Sequence, residues 1–156
     1  MKKVKWLYAL FFALTFTLVS EASGAFVVDK NLGWYASLST PVFTLTPVLH
    51  SAIWCAVYVA EAYVISGLLV ENRFRPFVQF YVSVKFLAAL WTTAFFGLHC
   101  PLAGLVILTV ILAIIWLFGK NLLKVRHHPL KKYLFLICAL WYAYLWILNY
   151  SIIVLN

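Results

Sequence analysis

Four side chains that could bind a ligand recur at helical spacing in one apolar stretch of the chain. They are His50, Trp54, Tyr58 and Glu61, which are separated by four, four and three residues. At about 100° per residue these steps return to one helix face. An imidazole, an indole, a phenol and a carboxyl group on one face would suit a cavity for a large flat ligand that stacks and accepts hydrogen bonds. A helix-packing face with a polar edge is the alternative interpretation.

Two ionisable residues, Glu61 and Lys85, fall inside apolar stretches, where a charge is costly unless it finds a partner. Glu61 lies ten residues before Glu71, and Lys85 lies ten residues after Arg75. At a rise of about 1.5 Å per residue, both side chains are about 15 Å from the same surface. We therefore predict an intramembrane ion pair. A structural clamp is favoured over a proton relay.

Other signs of chemistry are weak. The sequence has no Ser-His-Asp set, catalytic carboxylate pair, glycine-rich phosphate loop or metal-ligand spacing, so we predict no catalytic residue and no metal site. The three cysteines are far apart, which argues against a disulfide framework. His50 and His99 lie near ends of apolar stretches, where haem-iron ligation is a minor alternative. His127 and His128 lie in a basic segment and are expected at the surface.

The composition places the chain in a membrane. Its 156 residues are 66% hydrophobic and 10% charged, with a mean hydropathy of +1.01, values outside the range of soluble domains. We predict a single all-α domain over residues 1–156 and a multi-pass protein of a bacterial cytoplasmic membrane. The five expected spans are residues 6–28, 48–70, 77–98, 102–118 and 133–155, of which the fourth is the shortest.

The net charge of +8 is explained by membrane topology. Ten of the twelve cationic residues fall on one side of the predicted spans, which by the positive-inside rule makes the N-terminus cytoplasmic and places the C-terminus on the opposite side. This bias favours topology over nucleic-acid binding. The basic start and the segment Ser20-Glu21-Ala22 could also belong to a cleaved signal peptide. Because apolar residues resume at 25–28, we favour a retained first helix.

The first loop, residues 34–47, is broken by Pro41 and Pro47, which remove backbone donors. Its aromatic residues suit the lid of an apolar pocket. In the third span Ala89, Thr93 and Gly97 form a small-residue stripe, which allows close helix packing either within the chain or between two copies.

Four groups of residues, spread over nearly the whole chain, carry a family resemblance. They are Trp34, Tyr35, Leu38 and Pro41 in the first loop; Trp54 and Tyr58; Trp91, Phe95, Phe96, Gly97 and Leu98; and Trp141, Leu148, Asn149, Leu155 and Asn156. These patterns resemble the TspO/MBR family of tryptophan-rich sensory proteins, which includes the translocator proteins. The resemblance implies a five-helix bundle, often dimeric, whose pocket under the first loop binds porphyrins and, in some members, sterols or benzodiazepine-type compounds.

The family's pocket positions correspond to Tyr35, Trp54, Trp91, Phe95 and Trp141. The chain departs from the family pattern elsewhere: Thr40 stands for a lysine, His50 for an aromatic residue, Ala88 for an asparagine and Leu145 for a small alanine. These departures affect the expected ligand more than the fold. A sterol is a weaker expectation, because no cation follows Tyr142, Tyr144 or Tyr150 in the pattern proposed for sterol binding.

We therefore expect a membrane receptor or carrier that binds a planar hydrophobic ligand, a porphyrin first. No cofactor is required, although haem is a possible ligand. The ligand-binding residues are expected to be Tyr35, Pro41, His50, Trp54, Tyr58, Trp91, Phe95, Trp141 and Leu145. The alternatives are a small secondary transporter that uses Glu61 and Lys85, and a porphyrin-degrading activity suggested by the resemblance alone.

Overall fold

The computed structural model describes residues 2–70, 75–124 and 129–156. Within these ranges the chain forms α-helices and one π-helix, without strands. In chain order they are α1 (Lys2–Lys30), α2 (Leu32–Ser37), α3 (Pro47–Val70), α4 (Arg75–Thr92), the π-helix (Thr93–Gly97), α5 (Pro101–Lys124) and α6 (Pro129–Leu155).

The predicted all-α fold with five spans is confirmed. Five helical stretches in the described ranges are long and apolar enough to cross a membrane: Lys5–Lys30, Pro47–Gly67, Gln79–Gly97, Pro101–Lys120 and Leu130–Leu155. The membrane orientation stays a prediction. Residues 71–74 and 125–128, which include His127, His128 and part of the basic residues behind that prediction, lie outside the described residues.

The bounds of the fourth and fifth spans were predicted too narrowly. Helix α5 continues to Lys124 and α6 begins at Pro129, so the fourth span is not the shortest. The prediction ended the helices where apolar residues ended. Leucine and lysine are strong helix formers that extend a helix into polar surroundings, and proline is well suited to the first helical position.

Two irregular features shape the end of the bundle near the first loop. The short helix α2 (Leu32–Ser37) extends into the first loop. It was not predicted, because the prolines of this loop indicated a segment without helix. The π-helix then ends the third span, where the Leu98 N–H donates to the Thr93 carbonyl at 2.9 Å and the Cys100 N–H donates to the Ala94 carbonyl at 3.0 Å. The π-helix keeps Ala94 and Phe95 buried in the core.

The main core lies between α3, α4, α5 and α6. Its most deeply buried side chains include Val57, Leu108, Ile111, Tyr142 and Leu145, none of them more than 1% exposed. Helix α1 packs against α3 and α4 and forms a second, smaller core with them. The bundle therefore positions side chains from four helices beneath the first loop.

Candidate functional site

The predicted ligand-binding residues fall into two aromatic groups of the same core. The α3–α6 group contains His50, Trp54, Tyr58 and Trp141. Ring centroids are 5.0 Å apart for Trp54 and Tyr58, 5.5 Å for Trp54 and Trp141, and 5.1 Å for His50 and Trp141. The Trp54 indole N–H donates to His50 Nε2 at 3.0 Å. The predicted stripe on α3 thus meets Trp141 of α6.

The α2–α4 group contains Trp34 and Tyr35 of α2, Trp91 of α4 and Phe95 of the π-helix that follows α4. The ring centroid of Phe95 is 5.5 Å from that of Trp34, 6.3 Å from that of Tyr35 and 5.9 Å from that of Trp91. Burial, together with the nearby Tyr144 phenol, raises the pKa of Tyr35. The Tyr35 phenol therefore stays neutral and can donate a hydrogen bond.

Residues 31–46, which we call the lid, are tied by hydrogen bonds to the side chains of Tyr144 in α6 and of Asn156, the residue that follows α6. The Ser39 N–H donates to Asn156 Oδ1 at 2.9 Å, and Asn156 Nδ2 donates to the Ser39 carbonyl at 3.0 Å. The Leu45 N–H donates to the Tyr144 hydroxyl at 3.3 Å. These hydrogen bonds, which are exposed or half-buried, hold the lid over the rings of α3, α4 and α6.

Two further contacts fix the start of the lid. Trp34 stacks on His99 with ring centroids 4.4 Å apart, and His99 Nε2 lies 2.9 Å from Asn31 Oδ1. His99 adopts a φ of 52°, a left-handed conformation that is uncommon outside glycine. Pro41 accepts hydrogen bonds from the Thr44 N–H and hydroxyl, at 2.9 and 2.7 Å, which closes the turn in the middle of the lid.

The rings beneath the lid are packed against one another. Trp91, Trp141 and Phe95 are 8%, 6% and 2% exposed, and Leu145 is fully buried in the same core. A cavity of about 40 Å³ lies deeper, beside Glu61. A shallow apolar groove of about 560 Å³ lies on the outside of α3 and α6. A flat ligand under the lid therefore requires these rings to separate.

Asn149 connects three helices near the π-helix. Its side chain is 1% exposed, accepts a hydrogen bond from Trp91 Nε1 at 3.1 Å and donates to the Pro101 carbonyl at 2.9 Å. The Trp91 indole is thus held by a polar contact. By contrast, Trp141 Nε1 is buried without a hydrogen-bond partner among the described residues.

We expect Gly104→Ala to destabilise the bundle by about 1–3 kcal/mol, as overpacking of a tight core does. A methyl group at Gly104 would lie 2.9 Å from Asn149 Oδ1 and 3.3 Å from the rings of Trp91 and from Phe95 Cβ. Unfolding titrations in detergent would measure the loss. Gly33→Ala is the control, because a methyl group there meets nothing within 4 Å. Equal stability of the two variants would contradict this account of α5 packing.

Three ionisable side chains meet in the interior of the bundle. Lys85 Nζ of α4 contacts Glu61 of α3, as the residue depths suggested, and lies 3.0 Å from Glu21 Oε1 of α1. The Tyr58 hydroxyl donates to Glu21 Oε2 at 2.6 Å. Glu21 was not predicted to join the pair, because the segment Ser20-Glu21-Ala22 could also belong to a signal peptide. A carboxylate inside an apolar stretch was the available signal.

The small-residue stripe of the third span faces α1 at one end. A methyl group at Gly97 would lie 3.3 Å from Val27, and the Thr93 hydroxyl donates to the Ala89 carbonyl at 2.9 Å. A methyl group at Gly24 of α1 would lie 3.6 Å from the Thr92 side chain, so the same two helices are also in contact there. Self-association through Ala89, Thr93 and Gly97 stays a prediction.

The five apolar helices define a multi-pass integral membrane protein with an aromatic core under a lid. The family model that describes the TspO/MBR family matches residues 9–155, and the chain belongs to that family.

Two relatives extend this comparison. The chain is 28% identical over 144 residues to the tryptophan-rich protein TspO of Archaeoglobus fulgidus, a match that covers 88% of this chain and 90% of the relative. It is 27% identical over 151 residues to protein CrtK of Rhodobacter capsulatus, with 93% and 92% covered. The likeness therefore extends over nearly the full length of all three chains.

Proposed function

We propose that this TspO/MBR family protein is a receptor or carrier for a planar hydrophobic ligand, with a tetrapyrrole as the first candidate. The ligand would lie between the lid and the rings of α3, α4 and α6. The observation that supports this most strongly is the convergence of Trp54, Trp91, Phe95 and Trp141 beneath the lid. Aromatic faces provide the stacking surface that a flat macrocycle needs.

The hydrogen-bonding capacity of the site also supports the proposal. Trp141 Nε1 has no partner among the described residues although it is buried, and leaving a donor unpaired in an apolar core is unfavourable. A ligand with a ring nitrogen or a carboxylate could accept this hydrogen bond. The gain would offset part of the cost of separating the rings.

Ligand entry would occur through the lid. The middle of the lid, residues 39–44, is held mainly by hydrogen bonds at the surface of the bundle, whereas Trp34, Tyr35, Leu38 and Leu45 on either side of it pack against the main core. The middle of the lid is therefore the part that can move at the lowest cost. This proposal requires the lid to move before the macrocycle reaches Trp141.

Titration of the purified protein in lipid nanodiscs with protoporphyrin tests the proposal. We expect saturable binding, and we expect Trp54→Ala to weaken it by about tenfold, because loss of one stacking surface is worth about 1.4 kcal/mol. Binding is followed by porphyrin absorbance, so that removing a tryptophan does not alter the signal itself.

The matched control is Trp116→Ala, because Trp116 is 67% exposed on the outside of α5. The Trp116→Ala variant should bind protoporphyrin with the same affinity as the parent. Equal affinity in the Trp54 variant as well, or binding that never saturates, would contradict the proposed site.

A secondary transporter is the second candidate, favoured by the contact of Lys85 with two carboxylates inside the bundle. A transporter that uses this site should lose substrate flux into proteoliposomes in Glu61→Gln while it retains binding. A simple binding protein should keep binding and, at most, change in stability. Flux equal to that of the parent would rule out a transport role for Glu61.

A further inference from the structure

The interior ion cluster, formed by Glu21, Glu61 and Lys85, holds two carboxylates and one ammonium group. Lys85 is 1% exposed, and the side chains of Glu61 and Glu21 are 10% and 20% exposed. Glu21 is nine residues from the end of α1 at Lys30, or about 13 Å along the helix axis. If all three groups were ionised, the cluster would carry one negative charge in the middle of the membrane.

Among the residues that the structure describes, the groups in contact with the cluster do not supply a second positive charge. Tyr58 of α3 donates to Glu21, and Tyr142 of α6 donates to Glu61 Oε1 at 3.4 Å. Helix α4 adds Tyr81, whose hydroxyl contacts Thr17 of α1. Helix α6 adds the Cys138 thiol, which points to the Val57 carbonyl at 4.0 Å, and α5 adds the apolar Ile115. All of these neighbours are neutral.

A carboxylate without a compensating charge is unfavourable in an apolar interior, and binding of a proton removes the charge. We propose that the ion cluster binds one proton per chain and that Glu61 carries it. The protein then contains a neutral, membrane-embedded proton-binding site in addition to its aromatic site. This proposal does not depend on ligand binding.

The hydrogen bonds distinguish the two carboxyl groups. Both oxygens of Glu21 accept short bonds, from Lys85 at 3.0 Å and from Tyr58 at 2.6 Å, which is the pattern that stabilises an ionised carboxylate. Glu61 Oε2 is close to Lys85 but has no hydrogen-bond partner among the described residues, and Glu61 Oε1 accepts only a longer bond from Tyr142. Glu61 is therefore the group with capacity left for a proton.

A cavity gives this proton a place to exchange. Glu61 lines the cavity of about 40 Å³ together with Val64 and Ile65, which lie one turn further towards the end of α3 at Val70. This volume is enough for at least one water molecule. On the opposite side of the cluster, Tyr58 and Tyr142 pack against the Trp54 ring, with centroids 5.0 and 6.1 Å away. The cavity lies on the side of Glu61 that faces Val64 and Ile65, away from Trp54, so we expect the proton to exchange on that side.

Infrared spectroscopy of the protein in lipid at neutral pH tests the proposal, because a protonated carboxyl group has its own carbonyl band. The parent should show one such band that shifts in deuterated water. Glu61→Gln and Glu21→Gln should each lose it, since one carboxylate then balances Lys85. Lys85→Gln should double its intensity. A band that persists in Glu21→Gln, or its absence from the parent, would overturn the proposed charge balance.

Two tyrosine variants assign the proton to one carboxyl group. Tyr142→Phe removes the hydrogen bond to Glu61 and should shift the band, whereas Tyr58→Phe removes the bond to Glu21 and should leave its position unchanged. The reverse result would place the proton on Glu21 and contradict the assignment to Glu61. The two glutamine variants keep the test valid even if Lys85→Gln does not fold.

Discussion

Replacing Lys85 by methionine is expected to lower the free energy of unfolding by about 3–5 kcal/mol, the usual cost of removing one partner from a buried ion pair. Lys85 contacts carboxylates from two other helices and is 1% exposed. Its loss leaves Glu21 and Glu61 facing each other inside the bundle without a cation. Denaturant titration in mixed micelles, followed by circular dichroism, measures the change.

The control for this prediction is the triple variant Glu21→Gln, Glu61→Gln, Lys85→Met. Removing all the charges together leaves no unpaired ion, so most of the lost stability should return. A second control is Lys120→Met, because Lys120 is exposed and packs over the Trp116 ring. If Lys85→Met is as stable as Lys120→Met, the ion cluster does not hold α1, α3 and α4 together.

Trp141→Ala is expected to weaken protoporphyrin binding by about 10- to 100-fold, the range for a buried aromatic hot spot worth about 1.4–2.8 kcal/mol. Trp141 stacks on Tyr144 at 5.1 Å and meets Trp54 edge to face at 5.5 Å. Trp141 therefore lies between Trp54 of α3 and Tyr144, the α6 residue that accepts a hydrogen bond from the lid. Absorbance titration in nanodiscs gives the dissociation constant.

Trp141→Phe separates stacking from hydrogen bonding. Phenylalanine keeps an aromatic face but has no N–H group, and a net hydrogen bond is worth about 0.5–1.5 kcal/mol. We expect this variant to bind about 2- to 10-fold more weakly than the parent. Parent-like affinity of Trp141→Ala, in a protein whose circular dichroism is unchanged, would exclude Trp141 from the ligand site.

The sequence was sufficient for the elements that follow directly from apolar runs. The five spans could be predicted because each needs about twenty apolar residues. The depths of Glu61 and Lys85 could be compared because only four residues of sequence separate α3 from α4. The aromatic stripe on α3 followed from a helical period of 3.6 residues. These inferences use regular geometry alone.

The features that were missed depend on irregular backbone or on contacts between distant segments. The π-helix at Thr93–Gly97 adds a residue to one turn, and no hydrophobic period marks it. The pairing of Asn156 with Ser39 joins residues 117 positions apart. The packing of the rings under the lid could not be predicted from the sequence either, because helix spacing shows which face a ring occupies but not whether facing rings touch.

A crystal structure of the protein with bound protoporphyrin tests the central claim most directly. We expect the macrocycle to lie between the lid and the rings of Trp54 and Trp141, with the centroids of those rings further apart than 5.5 Å and an acceptor atom within hydrogen-bonding distance of Trp141 Nε1. A macrocycle on the outer groove near Val59 and Leu134, with the indoles still packed together, would contradict it.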